Sequence, residues 1–255
     1  MAVDLVLNNT GVQFADGGVM SSTKQLGMQN RLHNALFNIN QRAVSGTVNL
    51  AAGAYGHDRW KAGAGGCTYT FATVGNITTL TITAGTLQQV IEGANLESGT
   101  HCLSWTGTAT ARIDSGAYST SGMTGTSVGG TNQTIEFSTG TLSLPQYEAG
   151  GNPSAFGYRP IGLEEIICKR YYQIVTAGVY VDVTTGHTYI DNKTLPVAPR
   201  VTPTFAVLSN IQSSGFSTAL GTVAFTSPNS FTYAKTATGT GQGGFIDVLS
   251  VTADL

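Results

Sequence analysis

The chain is short of charge. It holds 12 Lys+Arg and 14 Asp+Glu in 255 residues, so charged side chains make up 10%, against about 25% in an average soluble domain. The formal net charge of -2 supplies no basic field to hold a phosphate backbone, so nucleic acid is not expected as a partner. Long apolar runs are missing as well. The uncharged stretches are threaded with Thr, Ser, Asn and Gly, and none reads as a span of about 20 apolar residues, so no membrane insertion is expected. Cys67, Cys102 and Cys168 are the only cysteines. Their number is odd and their spacing does not fit a metal site. They read as reduced, mostly buried thiols of a protein made in a cytoplasm, with one disulfide plus a free thiol as the alternative. The start, MAVDLVLNNTG, has neither the basic nor the apolar stretch of a secretory signal, so none is expected.

Threonine and glycine are plentiful, with 37 Thr and 33 Gly. Glycine has no three-residue period, which excludes collagen. A hydrophobic content of 41% is too high for a disordered chain. Thr suits a pleated surface and Gly supplies turns, so β structure is expected.

The chain divides into four stretches. In residues 1–22, Val3, Leu5 and Leu7 alternate, followed by Val12 and Phe14 and the turn Ala15-Asp16-Gly17-Gly18. This reads as a strand, a turn and a partial return strand, too short to bury a face alone. From Ser22 to Gln41 a helix is expected, capped by Ser22 or Thr23. Met28, Leu32, Ala35 and Ile39 are spaced four, three, four along it and form an apolar seam, widened by Leu36. The seam suits packing on the chain's own domain or a short helical junction between copies. Residues 1–41 are thus expected to anchor or oligomerise.

Residues 42–173 read as a β-sandwich. Strands are expected at Tyr69–Ala72, Ile77–Thr83, Leu87–Glu92, His101–Ile113, Thr134–Phe137 and Ile161–Tyr172. Gly107 inside the fourth marks a bulge or a close backbone approach. Residues 115–133, rich in Gly, Ser and Thr, read as the mobile or binding loop. Residues 174–255 read as a smaller β domain, with strands at Ile174–Val183, Thr188–Ile190, Thr204–Leu208, Gly221–Phe225, Ser230–Tyr233 and Phe245–Val251. The fold class is therefore all-β, apart from the helix of the first segment.

Signals for catalysis are out of context. Gly239, Gly241 and Gly244 match GxGxxG but lead into a strand, where a dinucleotide site needs a helix. Gly125-Thr126-Ser127-Val128-Gly129 matches GxSxG inside the Gly/Ser/Thr loop, without the strand and helix of a nucleophile elbow. His33, His57, His101 and His187 have no ligand spacing, and no metal or cofactor is expected. Glycoside hydrolysis needs two carboxylates across one bond. Glu164 and Glu165 are adjacent and would point to opposite faces of a strand. No enzymatic activity is expected.

Binding a sugar asks for less: an aromatic face for its C–H surface and polar groups for its hydroxyls. The candidates are Tyr118, Tyr147, Tyr158 and Trp60. Trp60 also fits a sandwich edge, with Asp58 and Arg59 pairing locally beside it. Trp105 lies on an apolar stripe and reads as core.

Three patches resemble a known family. Gly11-Val12-Gln13-Phe14-Ala15-Asp16-Gly17-Gly18 resembles the "gly-val-x-phe-pro-asp-gly-thr" element of trimeric bacteriophage tail fibres, with Ala15 and Gly18 as departures. Asn40-Gln41-Arg42 and Tyr55-Gly56-His57-Asp58-Arg59-Trp60 resemble the "trp-gln-arg" and "tyr-x-x-asp-arg-trp" segments opening a jelly roll in phage tail-fibre proteins, with Asn40 in place of the first tryptophan. Arg159-Pro160 through Cys168-Lys169-Arg170-Tyr171-Tyr172 looks like that family's "arg-pro … cys-gln-arg-tyr-tyr" closing strand. The Pro196–Pro203 stretch and the terminal Ala253-Asp254-Leu255 are similar too.

The resemblance implies a carbohydrate-binding-module-like jelly roll at 42–173, a homotrimer, and a place on the virion, assembled in the host cytoplasm. The function it implies is a tail fibre or receptor-binding protein contacting host surface glycan, joined to other virion proteins through the first segment. The alternative is a head fibre or capsid decoration protein with no receptor role. The matched motifs carry no catalytic residue and read as determinants of the fold.

Overall fold

A computed structural model describes residues 28–255 in full and, before them, the backbone of three short strands. These are β1 (Val6–Asn8), β2 (Gly11–Gln13) and β3 (Val19–Met20), which form one antiparallel sheet in that order. The expected turn at Ala15–Gly18 and the caps Ser22 and Thr23 lie outside the described residues, as does the first part of the expected helix.

From Met28 to Gln41 the chain is irregular, which corrects the helix expected there. Asparagine is the physical reason. Asn side chains compete with helical bonding by capturing nearby backbone groups. Asn30 Oδ1 accepts from Leu32 N at 3.0 Å, and Asn30 Nδ2 donates to Pro145 O. Asn34 and Phe37 take φ of 51° and 54°, which no helix contains. The seam is therefore not a helical stripe. Leu32, Ala35 and Ile39 are buried within this chain, while Met28 is 51% exposed.

Two compact units follow, and each has its own core. The first comprises Met1–Asn38, Ser45–Tyr55 and Trp60–Arg159; the second comprises Ile39–Val44, Gly56–Arg59 and Pro160–Leu255. The division thus falls at Arg159–Pro160, where the sequence suggested residue 173, and two short early segments belong to the second unit.

The first unit is built from β4 (Val48–Leu50), β5 (Lys61–Val74), β6 (Ile77–Ile91), β7 (Gly99–Thr106), β8 (Ala111–Ile113), β9 (Met123–Ser127), β10 (Gln133–Phe137) and β11 (Gly140–Ala149). Its sheet runs β4-β5-β6-β11-β7-β9, and β10 pairs with both β6 and β8. The long hairpin β5–β6 bends midway. At the bend Gly85 has φ +68°, and a Cβ there would lie 2.1 Å from Gly66 O. Beyond the bend β6 exchanges its neighbour β11 for β10, so one strand feeds both sides of a sandwich-like body. Trp60, Trp105 and Phe137 meet in the core, with Trp105 edge-on to Phe137 at 5.3 Å and Trp60 at 6.0 Å from it.

Gly107 stands where β7 has ended. Its φ is +134°, and a Cβ would meet Thr141 O at 2.1 Å, so the close backbone approach is observed. Residues 115–133 are not one open loop, because β9 lies within them and pairs with β7. Strand β11 passes through Pro145. A register shift between Ser143 and Gln146, with Leu144 at φ 52°, absorbs it, as bulges absorb residues that cannot join a ladder.

The second unit opens with α1 (Ile161–Lys169), which corrects the strand expected at Ile161–Tyr172. Pro160 lacks an N–H, and its carbonyl accepts from Leu163 N and Glu164 N, so it starts a helix well. Glu164 and Cys168, four residues apart, form its buried side, and Lys169 pairs with Glu165 at 2.6 Å. Then come β12 (Tyr172–Val183), β13 (Thr188–Thr194), β14 (Thr204–Ser214), β15 (Thr222–Ser227), β16 (Ser230–Thr236) and β17 (Gly241–Thr252). They form two sheets, β12-β17-β14 and β13-β16-β15. Phe231, Tyr233, Phe245, Leu249 and Val251 lie in one buried cluster between them.

Residues from the patches at 40–42, 55–60 and 159–172 converge in this unit. Asp58 accepts from Gln41 N at 2.7 Å and Gln41 Nε2 at 2.9 Å, and Arg42 Nη1 lies 3.6 Å from its carboxylate. Arg42 also pairs with Asp254 and lies over the Tyr172 ring at 3.7 Å. The Arg59 guanidinium lies 3.5 Å from the Tyr171 ring centre. Asp58 thus pairs across the chain with Arg42. The motifs hold segments 39–44 and 56–59 to the chain's end by buried charge and stacking.

Candidate functional site

One row of paired residues builds a polar cleft in the first unit. Register sets Gln88 of β6 opposite Glu136 of β10, and Glu136 opposite Arg112 of β8. Residues directly opposite one another share a face, so the three side chains stand side by side. Arg112 grips Glu136 Oε2 through Nε at 2.9 Å and Nη2 at 2.7 Å. Ser119 exchanges two backbone hydrogen bonds with Ala111, at 2.8 and 2.9 Å. That bridge ties the neighbouring Tyr118 to β8 and brings its ring 4.9 Å from the Arg112 guanidinium.

The rest of the wall is nearly bare backbone. Gly53, Ala62, Gly63, Ala64, Gly65 and Gly85 line a cleft of about 520 Å³ together with Thr86, Gln88, Arg112, Tyr118 and Glu136. A Cβ on Gly63 would fall 2.0 Å from Thr86 Oγ1 and 3.0 Å from Glu136 Oε1. Glycine there leaves room for the Thr86 hydroxyl to reach the carboxylate.

Burial pushes the Glu136 carboxyl up, but hydrogen bonds from Thr86, Arg112 and Tyr118 and the Arg112 charge outweigh it. The carboxyl is held below the usual carboxylate range. Burial, and then the Glu136 charge, push the Tyr118 phenol up. At neutral pH the cleft therefore holds an ionised carboxylate, a phenol bonded to it, a guanidinium and a primary amide. The Tyr118 ring is 39% exposed.

The four aromatic candidates separate. Tyr118 lines the cleft. Tyr158 is 57% exposed and meets Phe156 edge-on at 5.0 Å, on open surface. Tyr147 and Trp60 are fully buried and present no face to a ligand, which corrects both. The Tyr147 hydroxyl bonds Gln133 Oε1 at 2.7 Å and its ring stacks on His101 at 5.0 Å. Trp60 Nε1 donates to Asn34 O at 3.0 Å. Each is core because a polar tip found a partner inside.

Sequence reasoning passed over Arg112, Gln88, Thr86 and Glu136 as cleft residues. A signal was present. In so uncharged a chain, a carboxylate on the polar side of a strand, as at Glu136 between Ile135 and Phe137, calls for a partner.

The two motif matches remain turns and strand ends. Ser127 of the GxSxG match closes β9 and donates to Gln133 Oε1 at 2.7 Å. The GxGxxG match runs into β17. All three cysteines are buried, and none of them forms a disulfide. Among the described residues no group of three His, Cys, Asp or Glu could hold a metal ion, and no helix is long and apolar enough to cross a membrane. No family model, curated protein or solved structure matches the chain.

Proposed function

We propose that this chain is a bacteriophage virion surface protein, a tail fibre or receptor-binding protein, whose first unit grips a glycan of the host surface. The observation that carries the reading is the cleft of Tyr118, Arg112 and Glu136. An exposed aromatic beside a planar set of donors and acceptors is the arrangement a sugar ring needs. The family resemblance of the motifs, the sandwich-like first unit and the uncharged, hydroxyl-rich composition support the same reading. A jelly-roll connectivity for that unit is part of the proposal.

The cleft binds without cleaving. Glycoside hydrolysis requires one carboxyl to be protonated and a second to act opposite it. Glu136 is held ionised by Arg112 and Thr86, and it is the one carboxylate among the residues lining the cleft.

Association of copies belongs to the same proposal. The outward side of sheet β12-β17-β14 exposes Ile174, Tyr180 and Leu208, at 40%, 58% and 51%. Apolar side chains gathered on one sheet face are more common at interfaces than on free monomers. A homotrimer would multiply a weak single-site affinity.

Labelled full-length protein mixed with host cells tests the reading. Saturable binding, competed by purified surface polysaccharide, supports it. Absence of binding at micromolar protein, with the chain located on capsid hexamers, supports a decoration protein instead.

A further inference from the structure

The second unit buries a charge cluster in a chain that has few charges to spend. Lys235 of β16 reaches across to Asp247 of β17, with Nζ 2.5 Å from Oδ2 and side-chain exposures of 4% and 0%. Asn210 of β14 stands opposite Asp247 in the sheet register, and its Nδ2 donates to Oδ1 at 2.7 Å. One carboxylate therefore holds an amine on one oxygen and a carboxamide on the other. Tyr233 donates to Oδ2 at 2.6 Å, and Lys235 Nζ also donates to Ser217 O at 2.9 Å. The Phe245 and Tyr233 ring centres lie 5.5 and 5.9 Å from Nζ.

A buried ion pair is a poor device for stability, because desolvation offsets its attraction. It is a good device for chemistry, because a proton passes readily from ammonium to carboxylate when water cannot solvate either charge. We infer that Lys235 and Asn210 join in an intramolecular isopeptide bond, promoted by Asp247.

The step balances without any co-reactant. Asp247 takes a proton from the Lys235 ammonium, leaving a neutral amine. The amine lone pair attacks Asn210 Cγ and forms the new C–N bond. Turning the carboxamide over gives up the bond from Asn210 Nδ2 to Thr218 O, 3.2 Å long, and lets the protonated Asp247 bond the amide oxygen, since the O and N of an Asn side chain exchange places at no cost in shape. The old C–N pair leaves with the amide nitrogen, which takes the proton from Asp247 and departs as ammonia. Ammonia then takes the second proton of the former ammonium. Nothing is oxidised or reduced. The product is a neutral secondary amide that ties β16 of one sheet to β14 of the other, removing a buried cation and shrinking the unfolded ensemble.

The inference stands apart from the glycan reading and is tested on the purified full-length chain. Its intact mass is expected to fall short of the sequence mass by about 17 Da, one ammonia. Tandem mass spectrometry of a digest is expected to show a branched peptide joining Lys235 and Asn210. N210A is expected to return to its own full sequence mass. A wild-type chain at full sequence mass would overturn the inference, whether or not any variant folds. So would a deficit that persists in N210A, which would place the loss elsewhere.

Discussion

Arg112 holds Glu136 through two nitrogens, at 2.9 and 2.7 Å, from directly opposite positions on adjacent strands. The pair is built by register, so it is fixed before any ligand arrives. It also sets the pH range of the cleft. Glu136 has its pKa lowered against an opposing burial effect. A carboxyl depressed in the folded state stabilises above its ordinary range and loses that contribution as pH falls through the folded value. The melting temperature of E136Q is therefore expected to approach that of wild type as pH drops below the usual glutamate range. A constant gap between the two across pH 3 to 7 would contradict this.

His57 acts in the same direction, at higher pH. It is buried, and burial lowers its imidazolium pKa from 6.5 to about 4. The unfolded chain takes up this proton near its ordinary value while the folded chain resists. Stability is therefore lost as pH falls from about 6.5 to 4, by on the order of 3 kcal/mol for this group. Replacing His57 by a neutral isostere such as glutamine is expected to flatten the denaturant midpoint across that window. An unchanged slope would count against the burial account.

The bend of the β5–β6 hairpin depends on Gly85. A methyl group there would meet Gly66 O at 2.1 Å, at a φ of +68°. G85A is expected to destabilise the first unit by about 1–3 kcal/mol. Since the bend also forms part of the cleft wall, G85A should weaken binding along with the melting temperature. A variant with wild-type melting would refute the role given to this glycine.

Most strands were legible, and the reasons are local. Alternation marked β6, β10, β12 and β17, because one face of each meets a core. Strand β11 is not among the expected strands; it contains Pro145, and the bulge at Leu144 lets it join a sheet. The helix expected at Ser22–Gln41 is not found from Met28 onward, because apolar spacing fits Leu32, Ala35 and Ile39 whether they line a helix or simply sink into a core. The Asn residues between them decided the matter through side-chain bonds that periodicity does not count. At Ile161–Lys169 a run of apolar residues suggested a strand, while Pro160 and the Glu165–Lys169 pair point to a helix. In the cleft, Tyr118 was legible as a loop aromatic. Arg112 and Gln88 were not, because their meeting depends on the pairing of β6, β10 and β8, which no single strand announces.

The exposed face of sheet β12-β17-β14 bears on assembly. Light scattering of the full chain in dilute solution is expected to give about three times the 26.4 kDa of one copy. I174D together with L208D should shift the particle toward one copy by placing charge on that face. A wild-type monomer with residues 1–41 intact would contradict the trimer.

The most direct test of the central claim is a titration of host-cell adsorption with wild type and Y118A, each at its measured oligomeric state. Wild type is expected to saturate. Y118A should lose affinity at least tenfold per site while keeping the wild-type melting temperature within a few degrees, because Tyr118 is a loop residue with an exposed ring. Equal adsorption by the two proteins would contradict the assignment of the Tyr118 cleft as the glycan site.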